Sequence, residues 1–144
     1  MDISLVPPQA VGFVLPHLMP YLVLSAKHTR GRADEKDIIS FVTSGQMQLW
    51  VVIDGSHIHG HVITEIKQYP KCKLLVIQYC AMTTGVMAAV EDKMQDIASR
   101  FAKDAGCAGI EFVGRPGWRL TARKYGYNQH SVVYQKFFKE PENG

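Results

Sequence analysis

Residues 73–107, KLLVIQYCAMTTGVMAAVEDKMQDIASRFAKDAGC, contain the strand and the helix that decide the fold. The apolar run of residues 74–77 is too short to span a membrane and too continuous for a half-exposed strand. It therefore predicts a central strand covered on both faces. After a turn at Gly85, apolar residues recur at spacings of three and four, which predicts an amphipathic helix with Gly106 as its left-handed C-cap. The apolar face of this helix is Val90, Met94, Ile97, Phe101 and Ala105.

The turn between this strand and this helix has the pattern of an anion site. A strand that enters a helix through a glycine turn leaves free backbone N–H groups at the helix start, and these can bind a phosphate. A plain structural connection between strand and helix is the alternative interpretation.

The composition indicates one globular domain, which we expect to comprise residues 1–144. Hydrophobic residues make up 47% of the chain and charged residues 20%, and the formal charge of +3 is spread along it, which argues against nucleic-acid binding. Three cysteines without a CxxC pair indicate reduced thiols and neither a disulfide framework nor a zinc site. The N-terminus lacks a basic n-region, and no stretch is judged long enough to cross a bilayer. We therefore expect a cytoplasmic protein without membrane contact.

The remaining chain predicts two helices, a three-strand meander and further elements after the long helix. Residues 14–27 have a helical apolar pattern, and Asp34 caps a second helix that stops at Gly45. A short helix is predicted at residues 118–124. Besides the central strand, strand patterns occupy residues 48–54, 58–69, 108–113 and 131–138. This order predicts an α/β (α+β) fold whose mixed central sheet has helices on both faces.

This order of elements resembles the GNAT superfamily of acyl-CoA-dependent N-acetyltransferases over residues 14–138. Gly126 and Tyr127 stand where that superfamily has a Gly-Phe or Gly-Tyr pair. More closely, the chain is similar to small GNAT-like proteins of tailed bacteriophages. The residues that carry this similarity are Asp37, Ile38, Gly45, Leu49, Trp50, residues 62–65, Tyr69, Pro70, residues 105–107, Ile110, Glu111, residues 114–118 (GRPGW), Gly126 and Tyr127.

The resemblance implies acetyl-CoA as cofactor, with its pyrophosphate on the amides at the start of the central helix, and a small-molecule or protein amine as acceptor. The family's loop pattern, Gln/Arg-x-x-Gly-x-Gly/Ala, is kept only at its middle glycine, because Met82 and Met87 replace the outer residues. Some phage relatives serve virion assembly, so the alternative is a non-catalytic virion or assembly protein that binds phage structural proteins. The residues implied in cofactor binding are Thr83, Thr84, Gly85 and Val86.

Acyl transfer to an amine needs a base, a stabilised oxyanion and a leaving thiolate. Glu111 and Glu65 are the candidate bases, although acidic residues in strands are more often solvated or ion-paired, and Arg115 is an available partner for Glu111. The family's usual acid tyrosine falls at Ala122, so Tyr125, next to the glycine of the pair, is the remaining candidate acid.

Two further groups of residues support weaker hypotheses. His57, His59 and His61 share a strand face by their spacing and could hold a metal. Without an acidic or cysteine ligand nearby, they are more simply solvent-exposed residues of a hairpin tip, and we predict no metal site. Arg115 could bind a phosphate or carboxylate as a fork, and Cys80 is expected to be a buried, inert thiol.

Overall fold

The computed structural model describes residues 1–114 and 116–139. Its centre is a five-stranded mixed sheet in the order β1 to β5, in which the first four strands are antiparallel and β5 runs parallel to β4. The strands are β1 (Asp2–Leu5), β2 (Gln48–Asp54), β3 (His57–Gln68), β4 (Lys73–Met82) and β5 (Gly109–Phe112). The predicted meander and the predicted strand after the long helix are thus confirmed, and the parallel direction of that strand is a finding of the structure.

Helices cover both faces of this sheet, which confirms the predicted α+β class. The helices are α1 (Val11–Val14), α2 (Met19–His28), α3 (Glu35–Thr43), α4 (Val86–Asp104) and α5 (Arg119–Lys124). The first three pack on one face and α4 packs on the other. Asp34 begins α3 as predicted, since its Oδ1 accepts from the Asp37 amide at 2.9 Å and the Asp37 carboxylate accepts from the Asp34 amide at 3.0 Å.

Apolar side chains form a core layer on each side of the sheet. On the α1–α3 side the fully buried members are Leu18, Leu22, Ile38, Leu49 and Ile63. On the α4 side, Val90 and Met94 are buried against Trp50, whose indole meets Phe101 edge to face at 5.2 Å between centroids. The predicted apolar face of α4 is confirmed at Val90, Met94, Ile97 and Phe101, whereas the predicted Ala105 is the C-cap residue and the buried Ala98 and Ala102 were not predicted. Its C-terminus is also as predicted, because Gly106 has a φ of 78° and lies in a Schellman motif.

The N-terminal helical segment Pro8–His28 has the length and the apolar composition of a membrane span, with a mean hydropathy of 1.3. By that criterion the prediction that no stretch is long enough is wrong. Length and composition alone are weak evidence, because the core helix of a globular protein meets the same criterion. In this structure Leu18 and Leu22 of the segment are fully buried against the sheet.

Residues 131–138 do not form a strand, so the prediction of a last strand there is wrong. The segment has the β-branched and aromatic composition of a strand, but strand propensity depends on packing against neighbouring strands. Here the segment pairs with no strand of the described chain. Its apolar side chains are exposed, and they are Val132, Val133, Tyr134, Phe137 and Phe138.

Candidate functional site

β4 extends beyond the end of its pairing with β5. This parallel pairing runs from Leu74 opposite Gly109 to Ile77 opposite Phe112, where β5 ends, whereas β4 continues to Met82. Among the described residues the sheet is therefore open on this side of β4 beyond Ile77, at the end of β4 that leads into α4.

A β-bulge lies where the pairing of β4 with β5 ends. Thr64 of β3 pairs with Ile77, but its neighbour Ile63 pairs with Tyr79, so Gln78 is the extra residue of β4. Bulges are frequent next to active sites because they redirect backbone and side-chain groups. The bulge thus places Gln78 directly after the last residue of β4 that pairs with β5.

An apolar cleft lies on the α4 side of this opening. Its cavity volume is about 100 Å³, and about 600 Å³ when the adjoining space open to solvent is included. Apolar walls with a few polar groups are typical of small-molecule sites. The lining residues come from β4, α4, β5 and the α5 region, and they are Ile77, Cys80, Met87, Glu91, Met94, Gln95, Phe112, Trp118, Thr121, Ala122, Tyr125 and Tyr127.

The turn before α4 leaves the helix start without a side-chain cap. Gly85 is the N-cap residue, with a left-handed φ of 86°, and a Cβ built on it would meet nothing within 4 Å. The Val86 amide donates to the Thr83 carbonyl at 3.0 Å, and the Val86 side chain is buried. The next two amides, those of Met87 and Ala88, belong to the first turn and lack intrahelical acceptors, so the helix start can bind an anion.

The four residues predicted to bind cofactor therefore differ in their exposure and in the polar groups that are available to a ligand. Thr84 and Gly85 are exposed at the turn. The Thr83 hydroxyl is hydrogen-bonded to the Tyr21 hydroxyl at 2.8 Å, which ties the turn to α2. Val86 has neither a free amide nor an exposed side chain, so any contribution it makes is to hold the turn in place.

Met87 is half-buried, packs partly against the core on the α4 side and forms part of the cleft wall. The family pattern has glycine or alanine at this position. A methionine here reduces the space inside the cleft, and it leaves the exposed side of the turn open.

Both candidate bases lie on the same face of the sheet. Glu65 on β3 pairs with Val76, and Val76 pairs with Glu111 on β5, so the two carboxylates flank one buried residue. Strands are spaced by about 4.8 Å, which puts the two backbone positions roughly 10 Å apart. Leu75, the neighbour of Val76, packs on the α4 side, so the two glutamates lie on the opposite face, where α1–α3 pack.

Glu65 is half-buried and held by two side-chain amides. Gln78 donates to its Oε1 at 2.9 Å, and Gln46 donates to its Oε2 at 3.2 Å. Tyr79 lies near this group, and its pKa is raised by burial and further by the negative charge of Glu65. The carboxylate is thus oriented beside the bulge.

Glu111 is exposed at the edge strand. Its Oε1 accepts from the Tyr69 hydroxyl at 3.4 Å. Desolvation raises the pKa of Tyr69, and the charge of Glu111 raises it further. The predicted partner Arg115, and its predicted role as an anion fork, lie outside the described residues.

Comparison with known proteins identifies the fold. No protein-family model matches the chain, and no curated protein sequence matches it. Solved structures do match. A GCN5-related N-acetyltransferase from Ralstonia eutropha JMP134 aligns with a TM-score of 0.65 at 8% identity, over 94% of this chain and 97% of that one. The chain has the GNAT fold.

Two other solved acetyltransferase structures contain a bound ligand. A predicted acetyltransferase from Clostridium acetobutylicum with acetyl-CoA matches with a TM-score of 0.68 at 12% identity, covering 94% of this chain and 95% of that chain. An aminoglycoside acetyltransferase from an uncultured soil metagenomic sample, in complex with sisomicin, matches with a TM-score of 0.67 at 12% identity, covering 96% and 95%. At such identities the likeness establishes the fold alone.

Within this GNAT fold, Tyr125 lies at the C-terminal end of α5 and lines the cleft. Its hydroxyl donates to the Asp92 carboxylate on α4, and this hydrogen bond is the main cause that raises the pKa of Tyr125. The hydroxyl is therefore directed at α4, and Ala122, at the family's usual tyrosine position, also lines the cleft.

Two further contacts hold the α5 region to α4 beside the cleft. Tyr127, the second residue of the Gly-Tyr pair, donates to Gln95 Oε1 at 2.7 Å, and burial raises its pKa. Lys124 Nζ lies 3.3 Å from Glu91 Oε1. Phe112 of β5 packs edge to face on Tyr127 at 5.0 Å between centroids. The Gly-Tyr pair thus closes one wall of the cleft.

The three histidines do not share one environment. His57 is exposed, His59 is half-buried and His61 is fully buried, so the interpretation as an exposed hairpin tip is wrong for His61. His61 Nε2 lies 3.2 Å from the Ser25 hydroxyl, Nδ1 has no hydrogen-bond partner, and burial lowers the pKa to about 4. In the described ranges no group of His, Cys, Asp or Glu side chains could hold a metal ion.

Several residues of the site were missed from the sequence. Gln78 and Gln46, which orient Glu65, were not considered, and Tyr127 was identified only as part of a motif. A polar residue directly after the apolar run of residues 74–77 was the available signal for Gln78. Gln46 had no such signal, because it meets Glu65 only through the pairing of β2 with β3.

Proposed function

We propose that this protein is an N-acyltransferase that uses acetyl-CoA as acyl donor and an amine as acceptor. The observation that carries the proposal is the combination of the opening beyond the β4–β5 pairing, the uncapped start of α4 and the apolar cleft beside them. This donor combines a pyrophosphate with a long, largely uncharged arm. The residues present fit both parts, because the first-turn amides after Gly85 suit an anion and the cleft suits the arm.

The donor would supply an acyl group as a thioester, and the chain's own residues would prepare the acceptor. Glu65 is the proposed base, because its carboxylate is half-buried and oriented by Gln78 and Gln46 beside the point where the pairing of β4 with β5 ends. It would take the proton from an ammonium acceptor so that the amine can act as nucleophile. Glu111, exposed on the same sheet face, would add negative charge that attracts a cationic acceptor.

Tyr125 remains the candidate proton donor to the departing thiolate, since it lines the cleft. A phenol with a raised pKa is a weaker acid, so this role requires that the Tyr125 hydroxyl leave Asp92 when the cleft is filled. Replacement of Tyr125 by Phe tests the role directly, because it removes the proton and keeps the ring.

The second candidate is a non-catalytic phage virion or assembly protein on the same fold. Met87 in the cleft wall and the incomplete family loop pattern favour it. The resemblance to phage proteins remains a prediction, as does a cytoplasmic location, which would be the host cytoplasm for a phage-encoded chain. The two candidates differ in one property that can be measured, the binding of acetyl-CoA.

Calorimetric titration with acetyl-CoA tests the proposal. We expect a dissociation constant between about 1 µM and 1 mM, the usual range of substrate affinities. Titration with CoA that lacks the acyl group is the control for the contribution of the thioester. Absence of binding at about 1 mM acetyl-CoA would rule out the enzymatic function, and the role as an assembly protein would be the remaining candidate.

A further inference from the structure

The N-terminal helical segment Pro8–His28 is apolar on both of its sides. One side packs into the core, where Leu18 and Leu22 are fully buried. A helix that is hydrophobic all round is normally covered all round. The described chain covers only one side of this segment. The residues exposed on the other side, up to residue 24, are Gln9, Gly12, Phe13, Pro16, His17, Pro20, Val23 and Leu24.

The exposed apolar residues of this segment form one stripe along its outer side, which we call the outer stripe. Phe13, Pro16, Pro20 and Leu24 follow one another at spacings of three and four, which places them on the same side of a helix. Phe13 is 82% exposed, and Val23 and Leu24 are each more than one third exposed. Contiguous exposed apolar surface of this kind marks a site of interaction with a protein or a membrane.

The charges around the outer stripe are all of one sign. Residues 3–33 contain no Asp or Glu. The stripe ends at the exposed Lys27, and the exposed Arg30 and Arg32 follow in the loop after α2. The ring of Phe137 lies 5.9 Å from the guanidinium carbon of each arginine. An apolar stripe that ends in a group of cations is complementary to the surface of an anionic lipid membrane.

The acidic residues that flank this region in the sequence bind other groups. Asp2 Oδ1 lies 3.0 Å from Lys93 Nζ of α4, on the other side of the sheet. Asp34 and Asp37 each accept a hydrogen bond from the backbone amide of the other at the start of α3. Their carboxylates are therefore held away from the outer stripe.

We propose that the outer stripe binds the surface of an anionic lipid membrane. Phe13 and Leu24 enter the boundary between headgroups and acyl chains, and Lys27, Arg30 and Arg32 contact anionic headgroups. The segment lies in the plane of the membrane and does not cross it, because its inner side belongs to the core of the domain. The expectation of no membrane contact considered only stretches that could span a bilayer, and a helix that lies on the surface needs no such stretch.

A second copy of the chain is less complementary to this surface than a membrane. If two copies packed through the outer stripe, neither copy would supply an acidic residue from this region to the cations of the other, since residues 3–33 contain none. The stripe also lies on the side of the sheet opposite α4 and the apolar cleft. Membrane binding thus leaves the cleft accessible, and the inference does not depend on the proposed activity.

Sedimentation with sucrose-loaded vesicles tests the proposal. Vesicles of phosphatidylcholine with about one third phosphatidylglycerol are compared with vesicles of phosphatidylcholine alone. We expect at least about tenfold tighter binding to the anionic vesicles, because the cations at the end of the stripe face a negative surface. Salt at about 1 M should weaken this binding by screening the charges. No binding to anionic vesicles at about 1 mM lipid, or equal binding to both kinds of vesicle, would overturn the proposal.

A pair of apolar-to-acidic variants tests whether the outer stripe is the surface that binds. Phe13→Asp should lower binding to the anionic vesicles at least about tenfold. Leu120→Asp is the matched control, because Leu120 is 78% exposed but lies on α5, on the other side of the sheet, and it should bind as wild type does. Thermal unfolding checks that both variants are folded. Equal vesicle binding by Phe13→Asp and wild type would contradict the proposal.

A pair of charge variants tests the contribution of the cations. Lys27 and Lys103 are both exposed in the last turn of a helix, α2 and α4 respectively. Lys27→Glu should weaken binding to anionic vesicles about tenfold, and Lys103→Glu, with the same change in net charge, should weaken it much less. Equal effects of the two variants would show that net charge and not this surface binds the lipid.

Sedimentation equilibrium without lipid examines the other occupant, a second copy. We expect the wild-type chain to stay at its monomer mass of 16.1 kDa. A dimer that Phe13→Asp dissociates, together with no binding to anionic vesicles, would assign the outer stripe to a second copy and overturn the proposal.

Discussion

Gln78, the residue that bulges out of β4, donates a hydrogen bond to Glu65 on the neighbouring strand at 2.9 Å. The bulge lies where the pairing of β4 with β5 ends, so the contact joins the proposed base to the opening in which the donor would bind. A bulge residue has no partner on the neighbouring strand. Its side chain therefore need not follow the regular alternation of the strand and can bind a nearby group. Here it fixes the direction of a carboxylate.

Replacement of Glu65 by Gln should lower turnover with an amine acceptor about 10²- to 10⁴-fold, the usual contribution of a general base. Acetyl-CoA binding should stay unchanged, since Glu65 lies on the face opposite the cleft. Glu111→Gln is the matched control and should weaken the apparent affinity for a cationic acceptor more than it lowers turnover. Equal turnover of wild type and Glu65→Gln would exclude Glu65 as the base.

Replacement of His61 by Gln should remove part of the acid sensitivity of folding. The pKa of His61 is lowered by burial to about 4 in the folded protein, against about 6.5 in an unfolded chain. The unfolded state therefore binds the extra proton between these values. The contribution of His61 to stability is full above about pH 6.5 and decreases by about 3 kcal/mol as the pH falls to 4. Urea unfolding at several pH values measures this, and an identical pH dependence in the variant would contradict it.

Gly60→Ala should destabilise the fold strongly. A Cβ at Gly60 would lie 2.2 Å from the Ala81 carbonyl oxygen and 2.6 Å from Met82 Cα, so the backbones of β3 and β4 would have to separate. We expect a loss of about 3 kcal/mol or more in the free energy of unfolding. Gly45→Ala is the control, because Gly45 also has a positive φ but has no atom near its Cβ position, and it should cost about 1 kcal/mol. Similar losses in both variants would show that strand proximity is not the cause.

Thr64→Val should lower the free energy of unfolding by about 1–3 kcal/mol, although the two side chains have nearly the same shape. Thr64 is buried, accepts from the Trp50 indole at 3.0 Å and donates to Gln48 at 2.9 Å. Valine would leave the buried indole N–H without its acceptor. Thr43→Val, at an exposed site at the end of α3, is the control for the change in side chain. Chemical denaturation of both variants gives the comparison.

The sequence predicted the features that depend on local patterns. The spacing of Val90 and Met94 predicted the buried face of α4, and Asp34 predicted the start of α3, because helix periodicity and capping involve residues close in the chain. The prediction of a last strand was wrong because the pattern of residues 131–138 indicates a strand but does not specify the strand with which it would pair. Strand stability depends on that partner.

The candidate site was harder to predict than the fold. Glu65 and Glu111 were found from the sequence, and the structure places both on one sheet face. The donors to Glu65 are distant in sequence, with Gln46 19 and Gln78 13 positions away, and the bulge that brings Gln78 there has no local sequence signature. The burial of His61 was missed for a related reason, since it depends on helix α2 packing over β3 through Ser25.

The most direct measurement is acetyl-CoA binding by a matched pair of variants at the turn before α4. Asn and Asp both tolerate the left-handed backbone of Gly85, and a side chain there meets no neighbour within 4 Å, so Gly85→Asn and Gly85→Asp differ mainly in charge. If the cofactor's pyrophosphate binds the first-turn amides, calorimetry should show near-wild-type affinity for Gly85→Asn and at least about tenfold weaker binding for Gly85→Asp. Equal affinity of the two variants, or no binding by wild type, would contradict a cofactor site at the start of α4.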